Sequence, residues 1–110
     1  MRSIPPDLAA VCAAVMLVSA LPARADDAVD VQKVLTSHGC TGCHAKDRKI
    51  VGPALHDVAA KYASDPQAAV KIAANIRGGG VGRWGQVPMP PMPTLTDTEL
   101  AALAAYVLTP

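Results

Sequence analysis

Cys40-Thr41-Gly42-Cys43-His44 is the stretch on which the reading of this chain turns. Residues i, i+3 and i+4 lie on one face of a helical turn, so two thiols and an imidazole face the same way. Thr41 and Gly42 point away and need only fit the turn. A plain disulfide between Cys40 and Cys43 would leave His44 without a role. A thioredoxin-like redox pair expects a βαβ setting, which the surrounding sequence lacks. A structural zinc site takes a full tetrahedral set, and beyond the two cysteines only His38, His44 and His56 are on offer, with no second paired motif. Two thiols followed directly by histidine match instead the attachment of a haem, held through two thioether bonds and ligated by the imidazole.

Toward the N-terminus, Arg2 and the free amine bring positive charge, an apolar run extends from Leu8 to Leu21, and Pro22-Ala23-Arg24-Ala25 leads into Asp26-Asp27. Ala23 and Ala25 fit the small-residue pattern of signal-peptidase cleavage. Residues 1–25 are therefore expected to be a cleaved signal peptide and residues 26–110 the working domain. A retained anchor is the competing reading, because the run is only slightly short of a spanning helix. Cleavage removes Cys12 and leaves Cys40 and Cys43 as the remaining cysteines. The expected product is a periplasmic monomer with no membrane span in its mature form.

Of the ten basic and nine acidic residues in the 110-residue chain, Arg2, Arg24 and Asp7 precede residue 26, which leaves eight of each. That balance offers no electrostatic case for nucleic acid or an anionic membrane surface. Lys46, Arg48 and Lys49 form a short basic run that reads as solvated surface. Phenylalanine is absent, and only Tyr62, Trp84 and Tyr106 are aromatic. A domain this small is marginal on its own burial, and a large apolar group with covalent links would both fill and staple it.

Helical periodicity covers Ala28 to Ser37, with Val31, Val34 and Leu35 on one face. It returns from Pro66 to Arg77, with Ala69, Ile72, Ala73 and Ile76 in register, Asp65 as the expected cap and Gly78 as the stop. A shorter helix is expected from Leu55 to Tyr62. The last helix has the fullest signature: Thr96 and Glu99 make a capping box, Leu95 and Leu100 a hydrophobic staple, and Leu100, Leu103, Ala104 and Val107 a buried face. Nothing alternates at the strand period, so the expected class is all-α, with about four helices around one covalent haem. Between the last two helices, residues 78–94 make an irregular stretch longer than compact domains usually tolerate. Pro88, Pro90, Pro91 and Pro93 stiffen it, as suits a segment that holds a ligand.

A haem iron in an electron carrier takes a sixth ligand, and methionine opposite histidine raises the potential. Met89 and Met92 both lie in the stiffened stretch, each followed by proline, and their local chemistry does not separate them. His38 is too close to the attachment turn to reach the far side of the haem, and His56 falls inside the short helix.

Taken in order, Cys40-Thr41-Gly42-Cys43-His44, Val51-Gly52-Pro53-Ala54, Trp84-Gly85-Gln86-Val87-Pro88-Met89-Pro90-Pro91 and a closing amphipathic helix resemble the short bacterial class I cytochromes c, of the cytochrome c-551 type. The resemblance runs over residues 27–110. It implies the small class I cytochrome c fold, haem c attached at Cys40 and Cys43, and an iron bound axially by His44 and Met89 rather than Met92. It further implies that the Pro53 carbonyl accepts a hydrogen bond from His44 Nδ1, and that Trp84 and Arg77 sit near the haem propionates, with Arg83 close by as another candidate for that role. An indole N–H and a guanidinium suit such anions.

A carrier of single electrons between respiratory redox proteins follows, since His44 and Met89 together leave no position on the iron for a substrate. Such relatives feed nitrite reductase or terminal oxidases, and partners of this kind dock transiently. The alternative, a haem enzyme or gas sensor, needs an open or labile sixth position, and no distal acid–base pair is evident.

One departure from the family pattern generates a test. Where the family commonly has asparagine after Met-Pro-Pro, able to reach the ligand sulfur, this chain has Met92. That hydrogen bond is expected to be missing, and the iron potential shifted relative to relatives that keep it. Redox titration of Met92→Asn beside the parent checks this, and identical potentials would refute it.

Overall fold

A computed structural model describes residues 28–110, and the expected signal segment at residues 1–25 lies outside the described residues. Among the described residues five helices follow one another: α1 (Val31–Ser37), α2 (Cys40–Cys43), α3 (Leu55–Lys61), α4 (Ala68–Gly78) and α5 (Asp97–Leu108). Among the described residues there are no strands, only isolated antiparallel bridges between His44 and Lys49 and between Gly80 and Met89. The class is the all-α one expected. The helix beyond the expected set is the single turn that carries both cysteines.

Local chemistry explains most of the boundaries. α5 opens on the capping box read from the sequence: Glu99 N–H donates to Thr96 Oγ1 at 3.1 Å, and Thr96 N–H donates to the Glu99 carboxylate at 3.0 Å. α1 starts three residues later than its periodicity suggests, because Asp30 takes the cap and accepts the Lys33 N–H at 3.1 Å. α4 also starts later than expected. Asp65 caps a preceding turn instead, accepting the Gln67 N–H at 2.8 Å and the Lys71 ammonium at 2.6 Å. The hydrogen bond from Lys71, reinforced by the Gln67 amide, holds the Asp65 carboxyl below its ordinary range. Helix α3 has no side-chain cap. Its first amides are satisfied by distant carbonyls, Leu55 N–H by Ala45 and His56 N–H by Lys46, each at 2.9 Å.

α5 is the central element and packs against α1, α3 and α4. Its buried stripe, Leu100, Leu103, Ala104 and Val107, is divided between two clusters. Leu100 and Leu103 join Val34, Leu35 and Leu95, while Ala104 and Val107 join Leu55, Val58 and Ile72. Ala73, Ile76 and Tyr106 touch both clusters and bridge them.

The cap of α5 fixes where this central helix enters the core, so Thr96→Ala is expected to lower stability by about 1 kcal/mol. Urea unfolding of the variant beside the parent, with unchanged denaturant slope, measures it.

Candidate functional site

The helices enclose a cavity of about 370 Å³. Leu35 of α1, Leu55 and Val58 of α3, Ile72 and Ile76 of α4, and Leu103 and Val107 of α5 give it apolar walls. The α2 turn adds Cys40, Cys43 and the adjoining His44, and the segment between α4 and α5 adds Arg83, Trp84 and Met89. A concave, mostly apolar chamber with a few converging polar groups is the usual form of a cofactor site.

Cys40 and Cys43 are both partly buried, and no disulfide joins them. Burial pushes the Cys40 thiol above its ordinary pKa; a backbone hydrogen bond opposes this, and neighbouring Cys43 adds to it. Such surroundings disfavour a thiolate at Cys40. Among the described residues, no three of His, Cys, Asp and Glu cluster around a point where they could hold an ion unaided. Both cysteines and the imidazole line the same cavity.

His44 leaves the helical turn. Its N–H still bonds the Cys40 carbonyl at 2.9 Å, but its backbone is extended (φ −125°, ψ 140°). A strict helical continuation is therefore not how the imidazole is placed. Residues 44–53 loop back, with Gly52 N–H on the Cys43 carbonyl at 2.8 Å, and bring the Pro53 carbonyl to 2.8 Å from His44 Nδ1. A carbonyl only accepts, so Nδ1 carries the proton and Nε2 keeps its lone pair for the cavity. The pressure of this fit falls on Gly52, which lies against the ring: a Cβ built there would overlap Cε1 and lie 2.9 Å from both ring nitrogens.

The two methionines are told apart by packing. Met89 lines the cavity, and its backbone is tied on both sides to Gly80: Gly80 N–H donates to the Met89 carbonyl at 3.0 Å, and Met89 N–H returns to the Gly80 carbonyl at 2.8 Å. Met92 is absent from the lining. It packs on the cluster of Val34, Leu35, Leu95, Leu100 and Leu103, and its N–H bonds the Arg77 carbonyl at 3.0 Å.

Trp84 lines the cavity and is 38% exposed. The Lys61 ammonium, in the last turn of α3, sits 4.5 Å from its ring centroid and also donates to the Arg83 carbonyl at 3.2 Å. Arg77, expected near the same group as Trp84, is held elsewhere in the fold. It does not line the cavity but pairs with Asp97 in the first turn of α5, a carboxylate close enough to capture it. The guanidinium in the cavity wall belongs to Arg83, whose Nη2 donates to the Gly79 carbonyl at 2.7 Å. His38 Nδ1 is hydrogen-bonded to the Val34 carbonyl at the end of α1 and His56 is exposed; neither lines the cavity. Sequence reading missed Lys61 and the role of Gly52, because a contact 22 or 23 residues away and a ring pressed on a backbone leave no local mark.

The profile of the family described as Cytochrome c matches residues 28–109. Cytochrome c-552 of Nitrosomonas europaea is 49% identical over 72 residues, which are 66% of this chain and 70% of that protein. Cytochrome c-551 of Azotobacter vinelandii is 47% identical over 78 residues, 71% of this chain and 94% of that one. Among solved structures, the crystal structure of wild-type Nitrosomonas europaea cytochrome c552 superposes with a TM-score of 0.67 at 45% identity, covering 71% of this chain and 96% of that one.

The contact of Gly52 with the imidazole yields a test. Gly52→Ala is expected to shift the His44 ring or the backbone behind it, at a cost of about 1–3 kcal/mol for overpacking. Chemical unfolding together with the His44 ring resonances in NMR reads both effects, and parental values in both would show that the ring has room.

Proposed function

The chain belongs to the cytochrome c family, as a class I member of the c-551 type, and we propose that it is a periplasmic carrier of single electrons whose haem is held by Cys40 and Cys43 and ligated by His44 and Met89. The observation that carries this reading is that both thiols, the imidazole and one methionine share a single apolar cavity. When bound, haem supplies a one-electron couple at iron. The residues of this chain do the rest. Cys40 and Cys43 anchor it as thioethers. Pro53 holds the His44 tautomer that leaves Nε2 free to ligate. The Met89 thioether, a neutral ligand, favours the reduced state and raises the potential.

Trp84 and Arg83 are the propionate partners in this reading, an indole N–H and a guanidinium in the same cavity wall. The apolar side walls exclude water, so little reorganises when charge changes. Val51, Val81 and Val87 line the cavity and are 47%, 58% and 63% exposed. With Trp84 they form a small apolar rim suited to brief docking with a donor or acceptor. Residues 1–25 direct export and are removed.

Absorption spectra and redox titration of the holoprotein test the ligand set. Met89→Ala is expected to lose the sulfur-to-ferric-iron band. Its potential should fall by a sizeable part of the roughly 0.8 V over which axial ligands set haem potentials. Met92→Ala should keep the band. The reverse pattern would overturn the assignment.

A further inference from the structure

We propose that the Gly79-Gly80 pair is the seat that positions Met89, a role that rests on Met89 being the axial ligand. α4 ends at Gly78, and Gly79 turns the chain with φ 61° and ψ −153°, a region that side-chain-bearing residues essentially do not enter. Its N–H still caps the helix on the Asn75 carbonyl at 2.8 Å. The returning segment lies directly on it. A Cβ at Gly79 would overlap the Met89 carbonyl oxygen and lie 2.7 Å from Pro91 N and 2.8 Å from Pro90 C. Those are backbone atoms, and the consecutive prolines that contain two of them restrict how far they can yield. Gly80 then exchanges both of its peptide hydrogen bonds with Met89.

Gly80 differs in kind. It has φ 141°, and the obstacle to a Cβ there is the Arg83 guanidinium at 2.8 Å, the far end of a flexible side chain. Gly79 is thus the rigid half of the seat and Gly80 the hydrogen-bonding half. One turn further along, Met92 N–H on the Arg77 carbonyl at 3.0 Å fastens the same segment to the end of α4. The sulfur of Met89 is aimed by this backbone-on-backbone contact, and a side chain at residue 79 pushes the whole Met89-Pro90-Pro91 segment out of place. Both glycines act through Met89 and are positioning residues.

A helix-capping role alone would lower stability and leave the iron's ligand untouched, so the readouts are spectroscopic. In the ferric holoprotein, Gly79→Ala is expected to lose most of the sulfur-to-iron band. It should bind added imidazole about ten- to hundredfold more tightly than the parent, because strain of this kind weakens the internal ligand that imidazole displaces. Thioether attachment and far-ultraviolet helicity should stay. Gly80→Ala should show a smaller tightening. Gly78→Ala, at the same helix end with open space around it and no positive φ, should behave as the parent. A parental band and parental imidazole affinity in Gly79→Ala overturn the proposal. Should Gly79→Ala not accumulate as holoprotein, the same two parental values in Gly80→Ala overturn it. Met89→Ala separates the premises: if it keeps the band, the ligand assignment and the seat fall together. If it loses the band while the glycine variants keep it, the seat alone falls.

Discussion

The hydrogen bond between His44 Nδ1 and the Pro53 carbonyl, 2.8 Å long, closes the segment on which the rest of the structure is laid out. It settles which ring nitrogen carries the proton, and hence what the imidazole presents to the cavity. The same loop returns Gly52 N–H to the Cys43 carbonyl and seats the first amides of α3 on the carbonyls of Ala45 and Lys46. The attachment turn and α3 are therefore joined through backbone, not through a separate core contact. Gly52 makes this closure possible by bringing no side chain to the face of the ring.

Packing around that frame leaves a chamber where a larger core would be. The buried residues fall into clusters that share α5, and among the described residues no side chain bulkier than leucine is fully buried. A chain of this size has little surface to bury, and one without phenylalanine has few side chains able to span the gap. The chamber's apolar walls and converging polar groups fit a cofactor that belongs to the core as much as to the site. A bound cofactor that fills it adds to folding stability as well as to function.

The segment between α4 and α5 is fastened at several points that do not involve a bound group: Gly80 to Met89, Met92 to Arg77, and Lys61 to both Trp84 and the Arg83 carbonyl. Prolines reduce the freedom it has to lose. A strap held this way has little freedom to move, which is the property an electron carrier needs.

The attachment turn, the capping box of α5 and the helical faces were legible in the residues themselves, because each depends on spacing along a few turns of chain. The sequence also put forward the cysteines, His44 and a methionine in the proline stretch as a ligand set, although local chemistry left Met89 and Met92 equal and only family resemblance ranked them. Tertiary structure separated them by placing Met92 in the core cluster and Met89 in the cavity. It also moved the cavity's guanidinium from Arg77 to Arg83, since the pull of Asp97 on Arg77 comes from a residue 20 positions away. The start of α3, the grip of Lys61 and the pressure on Gly52 and Gly79 were likewise decided only by the fold. Sequence determines what a turn and its neighbours can do; which distant backbone or charge arrives beside them is known only once the chain has closed.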